Sequence, residues 1–406
     1  MNSSFKTTRQ DLKHLPPAPK PSLLLTKISH SSPMLVHLFL SSVYVVMSSV
    51  LAAISHIIDG GIKKSWNFAT SVCHASMKAF LTMHAPSGRH SLDICRFFLS
   101  FKFPDFIFGS QVYFTEASIE IDGCENLHKS VIKALNVPPL HYDPIPKESR
   151  TISGEWILPS SMNDLSEIGD TPILLYLHGG AHIFCSPNTH RVITSGIAKQ
   201  GIPVFALDYR LAPEHPFPSG LEDSLAAYLA LLQNPTTTFS CKFSSSALSL
   251  PPIASNQVFI AGDSSGACLT LQLINLLAKL NLPMPGGSVL LSPFLDMELN
   301  SHSWHQNWNS DFLSLDGVGV TWAMDIYRNG VSQTHPCISP LDAPLEEGVV
   351  PPMLIQAGDS EVVTSDAFRL YQKATLAGVR VEFQIFQDMF HVFQSMFFTL
   401  ALITYL

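Results

Sequence analysis

The chain has 406 residues, of which 46% are hydrophobic and only 14% are charged, and its formal net charge at pH 7 is −8. This length is sufficient for one large domain with an N-terminal extension. The negative charge and the lack of a basic patch give no indication of a nucleic-acid partner. Seven cysteines without metal-ligand spacing predict neither a disulfide framework nor a metal site, and no phosphate-binding loop or other cofactor motif occurs.

The N-terminal region divides into a polar tail and an apolar segment. Residues 1–32 are polar and basic, whereas residues 33–58 contain no charged side chain. About 20 apolar residues span a bilayer as a helix, and the polar tail is longer than the first region of a secretory signal. We therefore expect an uncleaved membrane-anchor helix at residues 33–58, with a buried helix of a cap as the alternative.

The charges that flank this apolar segment predict its orientation. Five basic residues precede it, and two lysines follow it at residues 63 and 64. Because positive charge favours the cytosolic side of a membrane, we expect a single-pass arrangement with the N-terminus in the cytosol and the rest of the chain in the lumen.

We expect residues 60–150 to form a cap region and residues 151–406 to form the main domain. Six phenylalanines lie between residues 97 and 108. They predict either an apolar lid that faces a membrane or ordinary packing of the cap on the core. Residues 236–256 are rich in Ser, Thr and Pro and predict a surface insertion.

A strand, a tight turn and a helix are predicted around Ser264. Residues 257–261 form an apolar, β-prone run, Gly262-Asp263-Ser264-Ser265-Gly266 follows, and residues 267–274 have a helical apolar pattern. The glycines permit so tight a turn, because no Cβ is present to clash. This arrangement predicts that Ser264 is a catalytic nucleophile, with an inert serine in a small-residue turn as the alternative.

A second glycine-containing loop follows the predicted buried strand at residues 174–177. It begins at His178 and continues through Gly179 and Gly180. The backbone N–H groups of these glycines, together with that of Ser265, are candidates for binding a developing oxyanion. A simple β-turn is the alternative, and His178 is expected to brace the loop rather than to act as a base.

Residues 207–218, Leu-Asp-Tyr-Arg-Leu-Ala-Pro-Glu-His-Pro-Phe-Pro, resemble a segment of the hormone-sensitive-lipase-like esterases. The resemblance extends from about residue 173 to residue 394. It implies an α/β-hydrolase fold, with a mostly parallel central sheet, helices on both faces and an N-terminal helical cap. It also implies the hydrolysis of carboxylic esters. Within the segment, we expect an ion pair between Arg210 and Glu214 to lock the turn.

The resemblance also implies the remaining catalytic residues, an acid at Asp359 and a base at His391. The chain order of serine, acid and histidine in this fold agrees with these positions, and each residue follows a predicted strand. Three other carboxylates compete for the role of the acid. Asp366 is expected to point away within a helix, Glu361 is less favoured, and Asp388 is too close to His391 in the sequence.

The sequence departs from the family pattern at three places. Ala181 replaces the usual third glycine of the oxyanion loop, and Ser265 replaces the alanine that usually follows the nucleophile. After His391 only fifteen residues remain, all uncharged, whereas the relatives usually end in a longer, charge-bearing helix. A shortened final helix is expected to affect folding more than chemistry.

The sequence thus predicts a serine hydrolase that cleaves esters of hydrophobic substrates through an acyl-enzyme. The expected substrates are acetyl or short-to-medium acyl esters of a sterol or another lipid. The chain resembles the arylacetamide deacetylase and fungal steryl acetyl hydrolase types, which implies attachment to the endoplasmic reticulum. Two alternatives stay open, a non-catalytic, receptor-like binding protein on the same fold and an amidase.

Overall fold

The structure is a computed structural model that describes residues 34–60, 62–84, 92, 96, 104–137, 149–162, 165–232, 237–241, 253–313, 318–345 and 349–396. The described strands are β1 (Val112–Asp122), β2 (Ser149–Pro159), β3 (Ile173–Leu177), β4 (Val204–Asp208), β5 (Thr237–Cys241), β6 (Val258–Asp263), β7 (Gly287–Leu291), β8 (Met353–Gly358) and β9 (Val381–Phe386). The described helices are α1 (Met34–Asp59), α2 (Phe68–His84), α3 (Cys124–Leu135), α4 (Arg191–Ala198), α5 (Ser219–Leu231), α6 (Ser265–Lys279), α7 (His302–Gln306), α8 (Val318–Tyr327) and α9 (Thr364–Leu376).

The described strands form one sheet of nine strands in the order β5-β1-β2-β4-β3-β6-β7-β8-β9. The six strands from β4 to β9 in this order are parallel, and β2, β1 and β5 extend the sheet by antiparallel pairing. This topology confirms the predicted α/β-hydrolase fold. It places the C-terminal ends of β3, β6, β8 and β9 at one edge, where open parallel sheets bind their ligands.

The sequence of β3 shows why this strand lies at the centre of the sheet. All five of its residues are buried, as expected for a parallel strand that is covered on both faces. Leu175 and Leu177 pack in one apolar cluster with residues of α5, α6 and α9. Leu174 and Tyr176 pack in a second cluster with residues of α4. Helices therefore cover both faces of the sheet.

Helix α1 matches the predicted anchor segment and packs against α2. Its window Ser42–Asp59 is long and apolar enough to cross a membrane, and none of that window is buried within the protein. Large apolar side chains such as Met47, Leu51 and Ile57 are exposed along it. The chain thus has an N-terminal helix with an apolar surface that the hydrolase domain does not cover.

The structure divides residues 60–150 differently from the predicted cap. Helix α2 packs near the catalytic edge, but β1 and α3 belong to the main domain, because β1 pairs along its whole length with β2. Of the phenylalanine-rich segment, residues 97–103 lie outside the described part. Phe108 is buried and packs against Phe114, whereas Phe106 is 81% exposed.

Two further expectations are corrected by the structure. The predicted insertion at residues 236–256 contains β5, which pairs with β1 at the edge of the sheet. Arg210 pairs with Glu222 and Asp223 rather than with Glu214. Glu214 instead accepts a hydrogen bond from Arg96 at 2.8 Å. The turn at residues 210–214 is therefore held by ion pairs with side chains outside the turn, and not by an ion pair within it. The C-terminal segment after residue 396 lies outside the described residues.

A buried ion pair joins β2 to α4, the helix that follows the oxyanion loop. The Arg191 side chain is fully buried, and its Nε donates to Glu155 Oε1 at 2.9 Å. Its second nitrogen also contacts Glu155, and its third donates to Asp105 at 2.5 Å. The guanidinium lies 4.0 Å from the centre of the Phe114 ring. The Arg191 side chain thus connects the antiparallel strand β2 with α4, which lies next to the parallel part of the sheet.

We expect Glu155→Ala to lower the free energy of unfolding by about 3 kcal/mol, because it removes the buried partner of a fully buried guanidinium and leaves only the exposed Asp105 to compensate the charge. Urea denaturation of the full chain measures this loss. Glu120→Ala is the control, since Glu120 is exposed on β1, and it is expected to change stability by less than about 0.5 kcal/mol. Equal losses of stability in the two variants would show that the ion pair between Arg191 and Glu155 does not stabilise the fold.

Candidate active site

Ser264 lies in a strained turn between β6 and α6. Its φ of 52° and ψ of −120° lie outside the regions that residues other than glycine favour. A Cβ at Gly262 would clash with the backbone of Gly266, and a Cβ at Gly266 would clash with the backbone of Leu177 and His178. The two glycines therefore let the turn pack directly against the end of β3, and they hold the serine at the catalytic edge.

The structure brings His391 to Ser264. His391 follows β9 and is buried, and its Nε2 lies 2.8 Å from Ser264 Oγ. The loop turns sharply after this residue, because Val392 adopts a left-handed φ of 48°. This contact joins two residues that are 127 positions apart, and it has the geometry in which an imidazole accepts a hydroxyl proton.

The carboxylate beside His391 is that of Glu361 and not that of Asp359. Glu361 Oε2 lies 3.2 Å from His391 Nδ1, and both side chains are buried. Asp359 is exposed, and its Oδ1 accepts hydrogen bonds from the Asp388 N–H at 2.7 Å and from Ser360 Oγ at 2.9 Å. The predicted contact between Asp359 and His391 is thus not present.

Local geometry explains why the second carboxylate after β8 reaches the imidazole. Glu361 Oε1 accepts hydrogen bonds from the Gly358 N–H at 2.5 Å and from Ser292 Oγ at 2.8 Å. These two bonds fold the side chain back under the strand end and leave Oε2 for His391. One feature of the sequence indicates that Glu361 is buried, because this residue precedes the apolar pair Val362-Val363. Chain order alone did not distinguish the two carboxylates.

Burial sets the protonation of this pair. It raises the pKa of the Glu361 carboxyl to about 8 and lowers the pKa of the His391 imidazole. A neutral imidazole whose Nδ1–H points at Glu361 has a free electron pair on Nε2 for the serine proton. Because the two groups are in contact, their protons are released as those of one coupled pair.

Asp311 is a further buried carboxylate that the sequence analysis did not identify. Its Oδ2 accepts the Val362 N–H at 2.7 Å and its Oδ1 accepts the His391 N–H at 3.3 Å. Burial raises the pKa of this carboxyl to about 6. Asp311 therefore connects the loop after β8 with the loop after β9. Ser292 does the same, because its Oγ accepts the Val392 N–H at 3.0 Å.

The loop after β3 is held by Asp263, the residue that precedes the nucleophile. Asp263 Oδ1 accepts the Gly179 N–H at 3.0 Å and the Tyr176 hydroxyl at 2.6 Å. His190 Nε2 lies 3.2 Å from Oδ2. Burial opposes the ionisation of Asp263, but His190 and these hydrogen bonds outweigh it, so the pKa of Asp263 lies below its usual value.

These contacts revise the set of oxyanion donors. The Gly179 N–H is already donated to Asp263, so this group is not directed at a substrate. Gly180 and Ala181 line the pocket beside Ser264, and Ser265 is the first residue of α6, where an N–H has no acceptor within the helix. The structure thus favours Gly180 and Ser265 over Gly179, with Ala181 next to them.

His178 has the bracing role that the sequence suggested. Its Nδ1–H donates to the Gly179 carbonyl at 2.7 Å, and its ring stacks on Tyr209 at a centroid distance of 4.3 Å. Burial lowers the pKa of His178 to about 3, so the side chain is neutral at ordinary pH. It supports the loop and takes no part in proton transfer at Ser264.

The catalytic side chains open into an apolar cavity of about 230 Å³. Helix α2 contributes Met77 and Leu81 to its wall, and α8 contributes Ala323 and Met324. The rest of the apolar wall comes from aromatic and aliphatic side chains of the loops and of α8, namely Phe184, Phe294, Phe312, Leu313 and Val320. Such a wall suits an uncharged, hydrophobic substrate. Within the described part of the chain, no cluster of His, Cys, Asp or Glu side chains is suited to a metal ion.

A serine in hydrogen-bond contact with a buried imidazole, a carboxylate behind that imidazole and backbone donors beside the serine define a class of enzyme. Their position at the C-terminal edge of a mostly parallel sheet is that of a serine hydrolase with the α/β-hydrolase fold.

Comparison with known proteins identifies the family. A family model described as alpha/beta hydrolase fold matches residues 174–395. An acetyl-hydrolase of Streptomyces hygroscopicus is 35% identical over 59% of this chain and 72% of its own length. An esterase of Acinetobacter venetianus is 32% identical over 55% of this chain and 68% of its own length. The crystal structure of an esterase from the bacterial hormone-sensitive lipase family covers 80% of this chain and 90% of its own, at 28% identity and a TM-score of 0.57.

The chain therefore belongs to the α/β-hydrolase family, within its hormone-sensitive-lipase-like esterases. It is an ester hydrolase of the carboxylesterase type.

We expect Glu361→Gln to lower kcat by about 10⁴-fold, the scale seen when the carboxylate behind a catalytic histidine becomes an amide. The amide keeps the size of the side chain but can stabilise the wrong imidazole tautomer. Steady-state hydrolysis of p-nitrophenyl acetate measures the loss.

Asp359→Asn is the matched control for this substitution. It keeps the Oδ1 atom that accepts the Asp388 N–H, and Asp359 does not contact His391. We expect a loss of less than about tenfold, since no charge behind the imidazole changes. The reverse order of effects would show that Asp359 is the catalytic acid and that Glu361 is only structural.

Proposed function

We propose that Ser264 is the nucleophile, His391 the general base and Glu361 the carboxylate that orients it, in a hydrolase of hydrophobic carboxylic esters. The observation that carries the proposal is the 2.8 Å contact between Ser264 Oγ and His391 Nε2, at the floor of an apolar cavity. The same contact argues against a non-catalytic receptor, because ligand binding alone does not require a base at the serine.

The first half of the reaction forms an acyl-enzyme. Ser264 Oγ attacks the ester carbonyl carbon while His391 Nε2 takes the hydroxyl proton. The carbonyl oxygen becomes negatively charged and rests against the backbone N–H groups of Gly180 and Ser265, each worth about 3 kcal/mol in the transition state. His391 then gives its proton to the departing alcohol oxygen, and the ester C–O bond breaks.

The second half uses water in place of the serine. His391 Nε2 takes a proton from a water molecule, whose oxygen attacks the acyl carbon, and the proton is then returned to Ser264 Oγ as the carboxylic acid leaves. Glu361 stabilises the imidazolium in both halves, because its Oε2 lies beside Nδ1.

The cavity supports a hydrophobic substrate of limited acyl length. A volume of about 230 Å³ suits an acetyl or a short-to-medium acyl chain, together with part of an apolar alcohol such as a sterol or another lipid. Burial of the apolar wall favours such groups by about 0.8 kcal/mol for each CH₂. No charged side chain other than the catalytic groups and the His190–Asp263 pair faces the cavity within the described structure.

The apolar surface of α1 supports attachment to a membrane. The helix is long enough to span the hydrocarbon core, and its apolar side chains are exposed. The five basic residues that precede it favour a cytosolic N-terminus, with the catalytic domain in the lumen. We place the protein in the membrane of the endoplasmic reticulum, where esters of sterols and other lipids are dissolved.

We expect the protein in detergent or in membranes to hydrolyse p-nitrophenyl acetate and butyrate, and to react with a fluorophosphonate probe at Ser264. The Ser264→Ala variant should lose activity by about 10⁶-fold, because the remaining groups cannot act without the nucleophile. Hydrolysis rates and mass spectrometry of the labelled peptide measure both effects.

Comparison of p-nitrophenyl butyrate with its anilide separates ester from amide hydrolysis. We expect turnover of the ester only. A folded wild-type protein that is neither active nor labelled would overturn the proposed function, and preferential turnover of the anilide would replace it by an amidase.

We expect Met77→Ala to lower kcat/KM for the butyrate ester by about tenfold while the acetate ester is little affected, since lost contact with a methylene or two is worth about 1–3 kcal/mol. Met47→Ala is the control, because Met47 is exposed on α1 and lies outside the cavity. Equal effects on both esters would show that Met77 does not contact the acyl chain.

A further inference from the structure

The segment that links α1 to α2 lies against the loop that carries His391. We call residues 62–67 the stalk and residues 387–392 the histidine loop. Three stalk side chains contact Asp388, which is half-buried in the histidine loop and three residues before His391. The stalk and this loop are separated by more than 320 residues, so the contact depends on the tertiary fold.

Trp66 makes the closest contact between the two segments. It is only 3% exposed, and its Nε1–H donates to the Asp388 carbonyl at 2.6 Å. Its ring meets the Phe390 ring edge-on at a centroid distance of 5.3 Å. Phe390 is fully buried and is the immediate neighbour of His391. One indole thus fixes both the backbone and a side chain of the histidine loop.

Ser65 and Lys63 add polar contacts to the same residue. Ser65 Oγ donates to Asp388 Oδ2 at 2.7 Å, and Lys63 Nζ lies 3.6 Å from Asp388 Oδ1. Both side chains are near the surface, so the lysine contact contributes little on its own. The hydroxyl contact is directional and orients the carboxylate of Asp388.

The backbone of the histidine loop is strained at two residues. Asp388 and Val392 have left-handed φ values of 60° and 48°, so the loop adopts a conformation that the chain does not favour without external contacts. The catalytic domain binds its backbone N–H groups through Asp359, Asp311 and Ser292. The stalk adds hydrogen bonds to the carbonyl and the carboxylate of Asp388.

Helix α2 supports the same region by a second route. Lys78 Nζ donates to the carbonyls of Trp308 at 3.2 Å and of Asp311 at 3.3 Å. The Asp311 side chain in turn accepts the His391 N–H. The segment after α1 therefore contacts the surroundings of the base from two directions, and the donors of both contacts lie outside residues 174–395, which the family model matches.

We propose that Trp66, assisted by Ser65, is a positioning residue for His391, so that the stalk following the apolar helix completes the active site. The inference rests on the proposed role of His391 as the base. Ser264 attacks efficiently only when the imidazole holds its place, and an error of about 1 Å in such a group costs on the order of 100-fold in rate. Loss of the indole N–H releases the Asp388 carbonyl and lets the loop move.

The test uses the full-length Trp66→Phe variant, which keeps an aromatic ring beside Phe390 but removes the N–H donor and part of the ring volume. We expect kcat for p-nitrophenyl acetate and the rate of fluorophosphonate labelling both to fall about 10- to 100-fold, with KM within about twofold of the wild type. Labelling reports the reactivity of Ser264 without turnover, because the serine oxygen displaces fluoride from phosphorus and gives its proton to His391.

Trp304→Phe is the matched control. Trp304 is 4% exposed, and its indole N–H has no acceptor in the described structure, so the same ring exchange removes no hydrogen bond. We expect it to lower thermal stability to a similar extent and to leave kcat within about twofold.

Ser65 supplies a second pair of variants, for the case in which Trp66→Phe fails to fold. Ser65 is exposed, so its replacement does not disturb the core. Ser65→Ala is expected to lower kcat and the labelling rate by about threefold to tenfold, and Ser65→Thr, which keeps the hydroxyl, should restore them.

The outcomes separate this inference from the proposed function. A wild type that is not labelled contradicts the role of Ser264 and His391 themselves. An active wild type with unchanged kcat and labelling in Trp66→Phe, or in both Ser65 variants when Trp66→Phe does not fold, overturns the positioning role. A rise in KM with unchanged kcat also overturns it, because that result assigns the stalk to substrate binding.

Discussion

The hydrogen bond between His391 and Ser264 depends on three loops, those after β3, β8 and β9, being held together at one edge of the sheet. Each loop follows a parallel strand, and each is fixed by a buried carboxylate that accepts backbone N–H groups. Asp263 holds the loop after β3, Glu361 closes the turn after β8, and Asp311 joins that turn to the loop after β9. The catalytic geometry is thus set by carboxylates that bind amides, and only one of them contacts the imidazole.

The burial of carboxyl groups lowers the stability of the folded state when these groups are ionised. Burial raises the pKa of Glu361 to about 8, of Asp366 to about 7 and of Asp311 to about 6. These three carboxyl groups therefore bind more protons in the folded chain than in the unfolded chain between about pH 4 and pH 8, and their contribution to stability falls as the pH rises through that range. Catalysis, however, needs an ionised carboxylate behind His391. These groups thus oppose stability under the conditions in which the site works.

The parts of the site that the sequence predicted are those with local geometry. A strand, a glycine-flanked turn and a helix within one short segment predict Ser264. His391 is implied by the family resemblance, and its place after a late predicted strand agrees with the chain order of the fold. The choice of Glu361 over Asp359 depends on how one side chain folds back against Gly358 and Ser292. Gly179 is excluded as an oxyanion donor because its N–H donates to Asp263, which is more than 80 residues away in the sequence. The pairing of β1 with β2 and β5 also joins distant segments, so the sequence alone does not separate β1 from the expected cap.

The short link between α1 and α2 has a consequence for where the enzyme meets its substrate. Only eight residues separate Asp59 from Phe68, and at no more than about 3.5 Å per residue they reach roughly 28 Å. If α1 lies in a bilayer as proposed, the packing of α2 against α1 and the contact of the link with the histidine loop hold the catalytic cavity close to the lipid surface. Under that proposal, an ester dissolved in the adjacent leaflet would reach the enzyme by lateral diffusion in two dimensions, and its concentration per unit of membrane area, rather than in the aqueous phase, would govern how often the site is filled.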